Sequence, residues 1–347
     1  MREGGHPGPH RAPAWLRGAH AQTIWPALLA RPRVRWRREA VAAPDGDAWQ
    51  FDWLDAPSPA GAPLVVLFHG LEGGSDSHYA RALMAEVARH GWRGVVPHFR
   101  GCGGEPNRLP RAYHSGDHEE IGAMLAAVHE RAGPGTRIHV AGVSLGGSAL
   151  LNWLGRAGAK AASIVTSAAA VSAPLDLMAA GRSIDRGANR IYAYAFLRTL
   201  NPKARAIASR FPGSLDPLRL SRLTTMWAFD DAVTAPLHGF GGTADYWTRA
   251  SSKPWLGRIG IPTLVINAKN DPFIPAASLA RASEVSPHVL LEQPDHGGHA
   301  GFVTGPFPGR LDWLPRRLLA WFSTHTKDEG TGDGHGIAAG HGKERAS

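Results

Sequence analysis

The chain has one cysteine, Cys102, in 347 residues. A lone thiol cannot form an intramolecular disulfide, nor can it supply a Cys-based zinc site. No run of 18 apolar residues occurs, so no membrane-spanning helix is expected. The opening stretch MREGGHPGPHRAPAW lacks the apolar segment of a secretory signal. These absences make a cytoplasmic protein the expectation. Acidic residues are also in deficit, with 29 Asp and Glu against 38 Lys and Arg and a formal net charge of +9. Such a balance can serve nucleic acid or an anionic membrane. The arginines are scattered and no nucleic-acid-binding motif accompanies them, so no nucleic acid is expected as a partner. Peripheral membrane contact stays open, and no obligate protein partner is implied. The one compact basic run, Arg31 to Arg38, places Arg at 33, 35 and 37 and Val34 and Trp36 between them. That alternation predicts a half-exposed strand with a basic outer face.

A hydrophobic content of 43% is enough for one large buried core. Residues 1–12 and 326–347 hold few large apolar side chains and are expected to be disordered. Between them, apolar runs alternate with amphipathic ones. RVRWRREAVAA and AWQFDWLD flank an Asp-Gly turn and read as an antiparallel hairpin. Strands are predicted at 63–70, 92–101, 137–144, 161–171, 262–271 and 288–295. Helices are predicted at 75–91 (capped by Ser75 or Asp76), 115–133, 145–158, 275–283 and 311–323. Residues 174–254 break the rhythm and read as a helical cap inserted after the sixth strand. The alternation implies a mostly parallel eight-stranded sheet covered on both faces by helices, with the domain spanning 13–325.

The stretch Gly142-Val143-Ser144-Leu145-Gly146 carries the chemistry. Chance alone yields on the order of 0.3 such G-x-S-x-G pentapeptides in so glycine-rich a chain, so the context must decide. An apolar strand runs into it and a helix leaves it, as a strained nucleophile elbow requires. A serine hydroxyl needs a base, and the base an orienting acid, in the chain order Ser, acid, His. Asp271 ends the strand at 262–271 and is the chosen acid. Asp176 is the runner-up, and Asp230 and Asp231 fall within the cap. His299, beyond the flexible Gly297-Gly298, is the chosen base; Ala300-Gly301-Phe302 after it could begin a short helix. His296 reads as a loop residue, and His296-x-x-His299 lacks a third ligand at motif spacing, so no metal or other cofactor is expected.

The oxyanion hole needs two backbone donors. Leu145 N–H at the helix start is one, and Leu71 N–H in His69-Gly70-Leu71-Glu72-Gly73-Gly74 is the other. A carboxylate there would oppose catalysis, so Glu72 is predicted to face away. Arg100, Asn107, Arg108 and His114 read as loop braces on backbone carbonyls, and Cys102 as a small buried residue. Tyr192, Tyr194, Phe196, Trp227, Phe229, Tyr246 and Trp247 either line an apolar acyl pocket or form the cap's own core.

The order strand-His-Gly, GVSLG, Asp, His resembles the α/β-hydrolase superfamily. HAQTIWP (20–26), HFRGCGGEPNRLPRAYHSG (98–116), APLDL (173–177) and GGHAGF (297–302) are similar to the bacterial YheT-like esterases, which are related to eukaryotic abhydrolase-domain lipases. The resemblance runs from about Trp15 to Phe322 and implies the nucleophile at Ser144, acid at Asp271 and base at His299. It also implies a carboxylesterase or acylglycerol lipase acting on a small ester or lipid. Acyl transfer, thioester hydrolysis and a non-catalytic binding role remain the alternatives.

Overall fold

The computed structural model describes residues 7–29 and 31–326. Its frame is one eight-stranded sheet in the order β1-β2-β4-β3-β5-β6-β7-β8. Helix α1 (Ala19–Leu28) precedes the hairpin of β1 (Trp36–Ala42) and β2 (Ala48–Leu54). The hairpin pairs antiparallel within itself and with β4, and the other pairings are parallel. There follow β3 (Leu64–Phe68), α2 (His78–Arg89), β4 (Arg93–His98), α3 (His118–Ala132), β5 (Ile138–Val143), α4 (Leu145–Ala157) and β6 (Ser167–Val171). The cap then holds α5 (Leu177–Ile184), α6 (Arg190–Arg210), the short α7 (Pro217–Leu220), α8 (Met226–Phe229) and α9 (Ala235–Leu237), and α10 (Thr243–Ala250). The chain returns to the sheet with β7 (Thr263–Ile266) and β8 (Val289–Glu292) and closes with α11 (Trp313–Thr324).

The uninterrupted apolar runs occupy the middle of the sheet. Every residue of β3, β5, β6 and β7 is buried, as expected of parallel strands covered on both faces. Successive side chains go to opposite sides. Leu64, Val66 and Phe68 pack with Ile121, Met124, Leu150 and Leu154 under α3 and α4. Val65 and Leu67 pack with Leu83, Met84, Val87, Leu318 and Phe322 under α2 and α11. The cap has its own core, in which Ala193, Leu197, Leu200 and Ala204 share one stripe of α6 and meet Leu215, Leu220 and Phe229.

Several expectations need correcting. Residues 275–283 form no helix, only short 3₁₀ turns at Ala276–Ser278 and Ala282–Glu284. Side chains from outside take the carbonyls a helix would use: Lys253 Nζ reaches the oxygens of Ser278 and Leu279, and Gln293 Nε2 that of Ala280. Helix α2 starts at His78, because the Ser75 hydroxyl donates to Asp52 rather than capping it. The basic alternation at 33–37 holds in exposure, yet the strand itself begins at Trp36. Of the N-terminal stretch expected to be disordered, residues 7–12 are anchored: His10 is buried with its ring nitrogens 3.0 and 3.1 Å from the carbonyls of His296 and Val303, and Trp313 Nε1 donates to Gly8 O. Residues 1–6 and 327–347 lie outside the described residues.

Candidate active site

Strand β5 delivers Ser144 at φ 54° and ψ −120°, a conformation that side chains rarely adopt. The flanking glycines leave the backbone no alternative. A Cβ on Gly142 would stand 2.6 Å from Gly146 O, and one on Gly146 would stand 2.5 Å from His69 O. Both obstacles are main-chain atoms, so neither position tolerates alanine. Among the described residues, the other positive-φ residues that are not glycine are Glu72, Ser172, Ala300 and Phe302. Glu72 follows the proposed oxyanion donor, the Ser172 hydroxyl accepts from Ala300 N–H, and Ala300 and Phe302 follow His299. Strain of this kind gathers where the fold over-determines a site. It also corrects the expectation of a helix at 300–302, since two left-handed residues cannot start one.

The three expected residues converge. His299 Nε2 lies 2.9 Å from Ser144 Oγ, and His299 Nδ1 lies 2.8 Å from Asp271 Oδ2. The Asp271 side chain is fully buried, and its second oxygen accepts from Phe273 N–H at 2.8 Å. Asp176, the alternative acid, instead caps α5 by accepting from Ala179 N–H. His296 is a loop residue whose Nδ1 is 3.4 Å from Asn270 Nδ2.

The loop after β3 is fixed around one free donor. Gly70 N–H donates to Tyr79 Oη and Glu72 N–H to Tyr113 Oη. Between them Leu71 N–H has no acceptor among the described residues, and neither has Leu145 N–H at the start of α4. His69 orients the Leu71 donor. Burial pushes its pKa down to about 3, so the ring is neutral; its Nε2 accepts from Phe99 N–H, which leaves Nδ1–H to donate to Gly70 O at 2.8 Å. Gly70 C=O and Leu71 N–H belong to one planar peptide, so fixing the carbonyl fixes the opposed N–H.

Glu72, expected to face away from the oxyanion donors, directs its carboxylate to Tyr113 and to the cap. Its side chain lines the cavity, where Oε1 accepts from Tyr113 O–H at 2.9 Å and from the cap residue Lys203 at 2.7 Å. Its charge is therefore met by a cation. Cys102 lies beside this pair, and burial pushes its thiol up to about 11, against the Lys203 charge. A thiol so disposed stays protonated at neutral pH. The braces also differ in their partners. Arg100 is buried among the carboxylates of Asp45, Asp47 and Glu120 rather than backbone carbonyls. Asn107 bonds Arg111 O, while Arg108 takes part through its backbone N–H, which donates to Asp47. His114 accepts from Gly116 N–H and packs edge-on against His238 and Tyr246.

Ser144 and His299 open onto a cavity of about 410 Å³ between sheet and cap. Its walls include Leu177, Ala180, Met226 and Val233, with Phe196, Phe229, Tyr246 and Trp247 from the seven cap aromatics. The other three are placed differently: Tyr192 packs on Phe273, and Tyr194 and Trp227 are exposed. The cap adds a carboxyl to this lining. Asp230 accepts from Trp247 Nε1 at 2.7 Å and Thr234 Oγ1 at 2.6 Å, and burial pushes its pKa up to about 6.

The scaffold of His299 escaped the reading of residues one by one. Fully buried Gln22 in α1 accepts from Gly297 N–H at 2.7 Å and from Asn270 Nδ2 at 3.0 Å, and donates to Leu16 O. Thr23 Oγ1 accepts from His299 N–H, and Asn270 Oδ1 from Gly298 N–H. The only signal for these was the stretch HAQTIWP, which carried a resemblance but no mechanism. Among the described residues no group of three or more His, Cys, Asp or Glu could hold a metal ion, and no helix is long and apolar enough to cross a membrane.

The sequence pattern described as the alpha/beta hydrolase fold matches residues 63–306. The chain is 37% identical to the Escherichia coli K12 protein named "Putative esterase YheT", over 88% of this chain and 90% of that one. It is 30% identical to mouse phospholipase ABHD3, over 87% of this chain and 75% of that one. An esterase of Pyrococcus furiosus, Pf2001, shares the fold with a TM-score of 0.52 at 15% identity, covering 84% of this chain and 90% of that one. The pattern spans the strand before Ser144 and the loop of His299, and the Escherichia coli and mouse relatives align over 87–88% of the chain: this protein belongs to the alpha/beta hydrolase fold family.

Proposed function

We propose that this protein is a serine hydrolase of carboxylic esters, with Ser144 as nucleophile, His299 as general base and Asp271 as the acid that orients it. The observation that carries the reading is the unbroken hydrogen-bond chain from Ser144 Oγ through His299 to buried Asp271 at the wall of an apolar cavity. Ser144 Oγ attacks the ester carbonyl as His299 Nε2 takes its proton. Leu71 and Leu145 N–H groups receive the oxyanion, and Asp271 stabilises the imidazolium. His299 then protonates the departing alcohol. Water, deprotonated by His299, attacks the acyl-enzyme and releases the acid and the Ser144 hydroxyl. The apolar cavity accepts the acyl chain. The esterase and phospholipase names of the relatives favour an ester or lipid substrate over thioesters or transfer to a second acceptor.

A fluorophosphonate probe and a series of p-nitrophenyl esters and monoacylglycerols of graded chain length test this. Labelling should fall on Ser144 and be lost, with turnover, in Ser144→Ala. A folded wild-type protein that remains unlabelled, or an Ala variant of equal activity, rejects the reading.

A further inference from the structure

Helix α1 is amphipathic in the wrong sense for a soluble protein. Its buried positions are Gln22 and Pro26, with Thr23 half-buried, and the two polar side chains bond inward to the His299 loop. Its exposed positions are His20, Ala21, Ile24, Ala27 and Leu28. At the helical repeat these lie within an arc of about 120°. All but His20 are apolar, no residue of the helix is charged, and Ile24 and Leu28 are 46% and 70% exposed.

The arc continues into a ring cluster. Trp15, Trp25 and Phe307 stand 5.4–5.8 Å apart between centroids, and Phe307 is 71% exposed. The indole N–H groups of Trp15 and Trp25 are satisfied by the carbonyls of Gly305 and Pro308. On its other side, His20 stacks on Tyr192 of the cap, next to exposed Ile191 and Tyr194. Scattered apolar residues need no explanation, but a contiguous patch does.

Charge decides what would cover it. Exposed Arg17 precedes the helix, and exposed Arg31 and Arg33 follow it. Arg17 and Arg33 have no acidic partner among the described residues, and Arg310 lies beside Gly305 in the Trp15 loop. The nearby acids Asp76 and Asp312 are already paired with arginines. Residues 327–347 hold one large aliphatic, Ile337, and residues 1–6 one large apolar residue, Met1, so their composition offers little to match an apolar face. An apolar arc rimmed by aromatic rings and arginines suits the boundary between acyl chains and anionic headgroups.

We propose that α1 with the Trp15–Trp25–Phe307 cluster is a docking face for an anionic lipid bilayer. The apolar arc enters the interface, and the flanking arginines meet lipid phosphates. Gln22 and Thr23 hold the His299 loop from the opposite face of the same helix, so docking brings that side of the cavity to the lipid. The proposal does not depend on the reaction assigned to Ser144.

The test is co-sedimentation of the full chain with vesicles of phosphatidylcholine alone or mixed with phosphatidylglycerol. Wild type should bind the mixed vesicles on the order of tenfold more tightly, and added salt should narrow that gap. Ile24→Asp combined with Leu28→Asp should weaken binding on the order of tenfold or more, because charge at the apolar position is costly. The melting midpoint should stay near wild type; if it falls, Ile24→Ser takes the place of the pair. Arg17→Glu with Arg33→Glu should abolish the preference for anionic vesicles. Failure of wild type to sediment, or equal sedimentation of the Asp pair, overturns the proposal. So does light scattering that finds a wild-type dimer which Ile24→Asp converts to monomers, since a second copy would then be the cover.

Discussion

The Ser144 elbow and the His299 loop hold partners in one hydrogen bond, yet they are held in place by opposite means. The elbow is enforced by backbone against backbone: Gly142 and Gly146 are glycines because main-chain atoms fill the space a Cβ would need. The His299 loop carries left-handed residues as well, but its position is fixed by side chains from distant parts of the chain: Gln22 and Thr23 in α1, Asn270 after β7 and Ser172 after β6. Steric enforcement is local and all-or-none. Enforcement by polar side chains is long-range and graded, because each hydrogen bond can be removed singly. A site built from both should fail in two distinct ways.

The largest expected effect is at the elbow. Ser144→Ala should lower kcat/KM for a short p-nitrophenyl ester by roughly 10⁴-fold or more with an unchanged melting midpoint, read from steady-state kinetics and a thermal melt. Gln22→Ala should behave differently. It strips an acceptor from the buried Gly297 N–H and the half-buried Asn270 amide and leaves Leu16 O without its Gln22 donor, which costs about 2–3 kcal/mol of stability in a denaturant titration. A displaced imidazole should lower kcat roughly 10- to 100-fold while KM for a small soluble ester stays constant. If kcat is untouched while stability falls, Gln22 is merely structural, and the contrast between the two supports disappears.

This contrast also explains what was legible in the sequence. The alternating apolar and amphipathic runs gave the sheet and the place of the cap, because burial on two faces leaves a local trace in each strand. The Ser144 elbow left a five-residue trace for the same reason. Asp271 and His299 could be chosen because chain order limits the options. Gln22 could not be found this way: a glutamine on a short apolar helix has no local pattern that marks its partners some 275 residues away. The 275–283 segment was misread because Lys253 and Gln293 compete for its carbonyls, and that competition is invisible to periodicity. The counter-ion of Glu72 left no local trace either, because Lys203 sits 131 residues further on in the cap.

The cap sharpens the comparison, since its one buried carboxyl belongs to neither kind of support. Asp230 has its pKa raised by burial from 3.8 to about 6. An acid with a raised folded-state value binds its proton more tightly when folded. Its stabilising contribution is therefore complete below pH 3.8 and is lost as pH rises through 6. Asp230→Asn has no proton to lose. The stability of this variant relative to wild type should rise by up to about 3 kcal/mol between pH 3.8 and pH 7. Paired denaturant titrations at several pH values read that slope, and a flat difference would mean that Asp230 ionises freely.

The smallest effect is expected where the cap meets the loop of Leu71, the proposed oxyanion donor, and it separates a tether from a coincidence. Lys203 reaches Glu72 at 2.7 Å, but its side chain is 40% exposed, so solvent screens much of the attraction. Lys203→Met should cost about 1 kcal/mol and lower kcat/KM a few-fold, because the Glu72 carboxylate is left with Tyr113 beside Leu71. Glu72→Gln should cost a similar amount. In the double variant the two losses should not add, giving a coupling energy of roughly 0.5–1 kcal/mol in the cycle. The same coupling should appear in kcat/KM if the cap holds the Leu71 donor through this pair. Coupling in stability without coupling in catalysis would assign the ion pair to cap packing alone. Leu71 would then be oriented only from beneath, by His69 and the hydroxyls of Tyr79 and Tyr113.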